Sequence, residues 1–152
     1  MILSYISNIF DRQTAYIYIW FSRDYRSVYV GQTNSECGTL GRAYAHVKNN
    51  GTLRERFYDA EGLPIEVISD LHLASFRLPK KKKYISVESS FRLAVEYLVQ
   101  VKLNEVRSST TPKFRIISNV TYTDYCSNKE VIRISCKIVS EFLQEFNLNH
   151  SE

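Results

Sequence analysis

The residues best suited to chemistry come in a fixed order along this chain. Tyr18 and Tyr29 stand 11 residues apart, each inside a run rich in aromatic and β-branched residues. Arg42 and His46 follow, four residues apart, and Glu96 sits in a later stretch with helical apolar spacing. Each type has a distinct use. A guanidinium is always charged, and its fork matches phosphate oxygens. A carboxylate suits a hard divalent cation such as Mg²⁺. Imidazole and phenol move protons, although a phenol of ordinary pKa near ~10 is a poor base unless a cation lowers it. Together these groups are the parts that hydrolysis of a phosphodiester needs. A second acid, Glu88, lies eight residues before Glu96 with Arg92 four from each. At 3.6 residues per turn two such acids sit about 80° apart and could approach one site. Glu88, Arg92 and Glu96 could equally form a surface charge ladder.

Certain elements must position these groups. Tyr16 to Phe21 and Val28 to Gly31 read as two strands joined by the polar turn Ser22 to Ser27, an antiparallel hairpin. Thr39 is the expected cap of a helix over Leu40 to Lys48, closed by Asn49-Asn50-Gly51, so Arg42 and His46 share a helix face. Thr52-x-x-Glu55 has capping-box form for a short helix to Tyr58, and Ile65 to Ile68 reads as a third strand. After Pro79 and Lys80 to Lys83 in a loop, Ser86 is the expected cap of a long helix to Glu105. Its stripe is Val87, Phe91, Ala94, Val95, Leu98 and Val99. Ser108 to Pro112 reads as a loop and Phe114 to Val120 as a short strand. Ser127-x-x-Glu130 opens a final helix, Lys129 to Phe146, with Val131, Ile134, Ile138, Val139, Phe142 and Phe146 on one face. The expected fold is α+β: a small, mainly antiparallel three-stranded sheet flanked by helices, with a C-terminal strand-and-helix extension. The segments are 1–14, a core over 15–105, and an extension over 106–152 packed on the same domain.

A chain of 152 residues that is 44% hydrophobic can bury one core, which argues against disorder. Net charge is +4 and the pI about 8.9, a bias that permits a polyanionic partner without requiring one. The 11 tyrosines fit a polar site or a binding surface. Three cysteines, Cys37, Cys126 and Cys136, show no metal-ligand spacing, and Cys136 reads as core. Reduced thiols in the cytoplasm are the expectation. No stretch is long enough for a membrane helix, so no membrane partner is expected.

The ordered set resembles the GIY-YIG endonuclease family. Tyr16-Ile17-Tyr18 stands at the first motif, with Tyr16 in place of its opening Gly, and Tyr29-Val30-Gly31 at the second. Arg42-x-x-x-His46 stands at the helix motif, and Glu96-Tyr97-Leu98-Val99 at the metal-binding glutamate. The resemblance covers about Ala15 to Leu103. Many members place an Asn about a dozen residues after that glutamate; here Asn104 is closer and Asn119 farther, and neither is assigned.

The resemblance implies a divalent-metal-dependent endonuclease that hydrolyses DNA with one Mg²⁺ or Mn²⁺ ion. Glu96 is the implied metal ligand, with Glu88 as rival, and Arg42 the clamp on the scissile phosphate. Tyr18 is the implied base, with Tyr29 as second phenol and His46 orienting or relaying. Gly31 is expected to leave room for backbone to approach the cluster, which a side chain there would crowd. Lys80, Lys81, Lys82 and Lys83 read either as a phosphate-tracking patch or as a solubility feature. A homodimer or an accessory protein would supply specificity that so short a chain lacks. The alternative reading is a non-catalytic nucleic-acid-binding module of the same fold.

Overall fold

The computed structural model describes residues 2–6, 13–111, 113–119, 121–146 and 149–150. Strands β1 (Ile2–Ile6), β2 (Tyr16–Ser22) and β3 (Ser27–Thr33) precede helices α1 (Gly38–Val47) and α2 (Thr52–Glu61). Strand β4 (His72–Arg77), a short helix α3 (Lys82–Ile85) and a long helix α4 (Ser90–Val106) follow. The C-terminal part holds β5 (Thr110–Thr111), β6 (Arg115–Ile116), α5 (Lys129–Glu145) and β7 (Asn149–His150). The chain is α+β.

Its main sheet has five strands in the order β1-β4-β2-β3-β6. The centre is antiparallel, β2 pairing with both β3 and β4, whereas β1 on β4 and β6 on β3 are parallel. This corrects the expected three-stranded sheet. The third strand is also not where the sequence placed it. Ile65–Val67 forms a 3-10 turn, and the strand is His72–Arg77. That segment, His-Leu-Ala-Ser-Phe-Arg, has no β-branched residue and no apolar alternation. It is central and covered on both faces, so Leu73, Ala74, Ser75 and Phe76 are all buried. The expected strand from Phe114 shrinks to Arg115–Ile116, and Val120 lies outside the described residues.

The two-residue period of a strand sorts the core into two layers. Ile17, Ile19 and Phe21 of β2 join Val28, Val30 and Phe76 under α4 and α5. Tyr18, Trp20 and Tyr29 face the other way, against Ala43 of α1 and Leu53 and Phe57 of α2. The β2–β3 turn is tied down by Asp70, which accepts from Ser22 Oγ at 2.6 Å and Arg23 N at 2.6 Å.

Helix ends fall differently from the capping signals. Thr39 does not cap α1; its buried hydroxyl bonds Ser75 Oγ at 2.5 Å, anchoring the helix to the sheet, and Cys37 takes the cap position. Thr52 lies inside α2 behind Gly51. A side chain at residue 51 would place its Cβ 2.0 Å from the His46 carbonyl oxygen, so this α1–α2 junction needs glycine. Asn128, not Ser127, caps α5, accepting from Glu130 N at 3.0 Å and Val131 N at 3.3 Å. Cys136 is exposed, because the buried stripe of α5 runs through Val131, Ser135, Ile138, Val139 and Phe142 and leaves 136 off that face.

Ser86 yields to Ser89 as the cap of α4. The Ser89 hydroxyl accepts from Arg92 N at 2.9 Å and donates to the Lys83 carbonyl, while Val87 is 84% exposed rather than part of the stripe. Because Ser89 sets the start of the helix that carries Glu96, Ser89→Ala should cost about 1–2 kcal/mol in urea unfolding, against a change within about 0.5 for Ser86→Ala. Equal effects would contradict the assigned cap.

Candidate active site

The hairpin brings the first pair together. Tyr18 pairs with Gly31 across β2 and β3, and its ring lies over that glycine. A Cβ at 31 would meet Tyr18 Oη at 2.3 Å and Cζ at 2.4 Å. Gly31 does leave room at the cluster, but for the Tyr18 phenol and not for backbone. Helix α1 covers this face and inserts His46, which is 1% exposed, between the two tyrosines. The imidazole centroid is 5.4 Å from Tyr18 and 5.2 Å from Tyr29.

Tyr18 Oη and His46 Nε2 are hydrogen-bonded. Burial, reinforced by the neighbouring Tyr29, pushes the Tyr18 pKa well above the ordinary phenol value, with Arg42 opposing. The phenol therefore keeps its proton at neutral pH and donates it to Nε2. His46 accepts there and carries its own proton on Nδ1, which is buried without a partner. Burial, and then the Arg42 charge, lower the His46 pKa to about 4, so the imidazole is neutral. Burial and Glu96 likewise raise Tyr29, against Arg42 and Arg56. Arg56, half-buried on α2, is a cation at the site that sequence reading passed over as part of a capped helix.

Arg42, one turn before His46, is exposed. It lines a cleft of about 420 Å³ together with Gly41, Gln32, Thr33 and Arg92. Arg92 is 3% exposed and fully engaged. Its guanidinium donates to the carbonyls of Tyr84 at 2.6 Å, Ser86 at 2.9 Å and Val87 at 2.9 Å, and to Gln32 Oε1. The charge ladder through Arg92 is not formed. Glu88 is exposed and precedes the helix, so the helical geometry that made it a rival of Glu96 is absent.

Glu96 is half-buried and makes no ion pair or hydrogen bond among the described residues. Burial raises its pKa to about 7, against the pull of Arg92 and Arg42. It lines a second cleft, of about 380 Å³, with Leu93, Asn119, Thr121 and Tyr122. Asn119 is thus placed beside Glu96, whereas Asn104 is exposed farther along α4. Ser118 sets that placement: its Oγ accepts from Val30 N at 3.0 Å, and its carbonyl accepts from Gln100 Nε2 at 2.9 Å. The sequence left Asn119 and Asn104 unassigned; the segment that follows β6 along β3 brings Asn119 to the cleft.

Comparison with protein-family models, curated proteins and solved structures gave no match.

The donor set sets limits on a metal. No group of three or more His, Cys, Asp or Glu side chains gathers among the described residues, so a closed centre of the zinc type does not form there. A hard cation that keeps most of its waters needs one carboxylate, and an unpaired half-buried carboxyl in a cleft beside an Asn amide fits that need. The lysine run lines neither cleft. Lys81 and Lys83 pair with Glu130 of α5 at 2.8 and 2.5 Å, Lys82 opens α3, and Lys80 lines a separate groove between the end of β4 and α5.

Two outcomes follow. Gly31→Ala should displace the Tyr18 ring and destabilise the fold by about 1–3 kcal/mol in urea unfolding; a neutral result would contradict the close approach. Glu96 binds a proton in the folded chain that the unfolded chain releases above its ordinary pKa of 4.5. Its contribution to metal-free stability is complete below that value and is lost as pH rises through about 7. Glu96→Gln should therefore melt higher than wild type at about pH 8 and nearly equally at about pH 4. A melting difference that does not change with pH would show that burial does not shift this carboxyl.

Proposed function

We propose that this chain is a divalent-metal-dependent endonuclease of the GIY-YIG type, hydrolysing phosphodiester bonds in DNA. The observation that carries the reading is convergence. His46 of α1 touches Tyr18 of β2 and Tyr29 of β3, Arg42 lies one turn before it, and the Glu96 charge on α4 is felt by both phenols. The antiparallel trio β4-β2-β3 would be the core of that fold. Glu96 would hold Mg²⁺ or Mn²⁺, one ion per site, with Asn119 beside it. When bound, such an ion supplies Lewis-acid stabilisation of charge on the phosphate and the leaving oxygen.

The chain's own groups do the rest. Arg42 binds the scissile phosphate and offsets its growing charge. Water attacks phosphorus and gives its proton to Tyr18 Oη as Tyr18 passes its own to His46 Nε2; the new P–O bond forms as the bond to the leaving oxygen breaks, and that oxygen, leaving as an alkoxide, takes a proton from solvent while His46 returns its own to solvent. The relay removes the difficulty of a buried phenol acting as base, because no free phenolate has to persist. Tyr29 stays protonated, braces the imidazole ring with its own, and can donate to a phosphate oxygen. The described residues include no helix long and apolar enough to cross a membrane, and three free thiols fit a reducing cytoplasm. Site choice would come from a second copy or an accessory protein.

Nicking of supercoiled plasmid with Mg²⁺ or Mn²⁺ tests the reading. Chelator should abolish nicking, and Glu96→Ala and Arg42→Ala should each lower the rate at least about 10²-fold while the proteins stay folded. At subsaturating metal the rate should rise about tenfold between about pH 6 and 8 as Glu96 ionises. Near-normal rates in either variant would refute its role. Binding to DNA without any nicking would leave the non-catalytic nucleic-acid module.

A further inference from the structure

One wall of the Glu96 cleft takes no part in the proposed hydrolysis. Beside the carboxyl, this cleft of about 380 Å³ is lined by Leu93, Tyr122 and the polar side chains of Asn119, Thr121 and Thr123. Leu93 stands three residues before Glu96 on α4, so the two share a helix face. Leu93 is 40% exposed and Tyr122 66%. A lone apolar side chain on a surface needs no explanation. Two that line one cleft with an unpaired carboxyl do, because each leaves apolar surface to water at that spot.

The Tyr122 ring is held in place. Tyr97 of α4, packed against the core, meets it at right angles, with ring centroids 5.5 Å apart and planes at 87°. Three residues on, Tyr125 takes a positive φ of 68° and stacks on Phe91 of α4, with centroids 4.0 Å apart. The Cys126 thiol donates to the Thr123 carbonyl at 2.9 Å. The segment is thereby pinned to α4 through two rings, and Tyr122 keeps its exposed area beside Glu96. A fixed, open aromatic ring ringed by amide and hydroxyl groups suits a planar ligand with hydrogen-bonding edges, and a nucleobase has that form. The side chains of Asn119, Thr121 and Thr123 make no hydrogen bond among the described residues and can meet such an edge. No Lys or Arg stands among the described residues that line this cleft, whereas the other cleft carries Arg42. One is suited to a base and the other to a phosphate.

We infer that Tyr122 is the platform on which a nucleobase beside the scissile phosphate stacks, and that the favoured substrate presents that base unpaired. The inference rests on the nuclease reading for the presence of nucleic acid at Glu96, but binding tests it without cleavage. Inside a duplex both faces of a base are covered by its neighbours. A base therefore reaches a protein ring only after leaving the stack, which costs least where it has no partner. Every base has an aromatic face, so the platform selects the structure of the substrate and not its sequence.

The experiment measures anisotropy of fluorescein-labelled DNA duplexes on the full chain in chelator. One duplex carries a single unpaired adenine and the other an abasic nucleotide at the same position. Both have the same phosphates, so the ratio of their affinities isolates the base. Wild type should bind the adenine duplex about tenfold more tightly. Tyr122→Phe should keep that ratio. Tyr122→Ala should bring it close to unity, and so should Tyr122→Leu, which keeps apolar bulk without an aromatic face. Tyr58→Ala removes a similarly exposed ring on α2, at 59%, and should leave the ratio unchanged. Equal affinity of wild type for the two duplexes, a ratio that survives in Tyr122→Ala, an equal loss in Tyr58→Ala, or no binding of either duplex would overturn the inference. A protein that nicks plasmid yet binds both duplexes equally loses the platform alone. One that shows the Tyr122-dependent ratio but never nicks loses the catalytic reading alone.

Discussion

The site depends on one packing constraint: the Tyr18 phenol must cross the backbone of β3 to reach His46. Only a glycine at 31 leaves that path open, and only the pairing of Tyr18 with Gly31 puts the opening beneath the ring. Slipping the hairpin by one residue would turn Tyr18 to the opposite face, under α4 and α5, and put Ile17 or Ile19 against α1. The buried Tyr18–His46 hydrogen bond, the edge contact of Tyr29 with the imidazole, and the insertion of α1 all follow from that register. The same helix is held at its start by Thr39 on Ser75 and at its end by Gly51 against the His46 carbonyl, so the imidazole has little freedom.

Burial then sets the charge state. Tyr18 and Tyr29 are held as phenols, His46 as neutral imidazole, and Glu96 is close to half protonated near neutrality. Arg42, exposed at the mouth, supplies positive charge to this neutral interior, as does Arg56 beside Tyr29. Such a site is short of negative charge in its resting state. A cation arriving there would ionise Glu96, and a phosphate would offset Arg42, so each would improve the other's environment. The desolvation that makes a phenol a poor base is matched by an acceptor placed directly on its proton.

Arg92 has a different task. Its position between Glu88 and Glu96 suggested a partner for the flanking acids, yet its guanidinium ties together the turn that leads into α4. A charge with 3% exposure must have its donors satisfied, and carbonyl oxygens do this without neutralising Glu96. The lysine run behaves similarly, with Lys81 and Lys83 consumed by Glu130. In both places a charged sequence feature serves the connection between β4 and α4, which sets where Glu96 stands relative to the hairpin.

The local sequence carried the hairpin, the helix with Arg42 and His46, and the apolar stripes of α4 and α5, because periods of 2 and 3.6 are written in adjacent residues. It also carried the five candidate side chains and the need for glycine at 31. It misplaced the third strand, since a strand covered on both faces shows no alternation and Leu73-Ala74-Ser75-Phe76 has weak propensity. It chose the wrong hydroxyl for the start of α4, because Ser86 and Ser89 look alike until Arg92 N and the Lys83 carbonyl select one. Arg56 was beyond it altogether, and it could not choose between Asn104 and Asn119. These depend on chain segments far apart in sequence meeting at a sheet edge or across a helix face, and only tertiary packing decides such meetings.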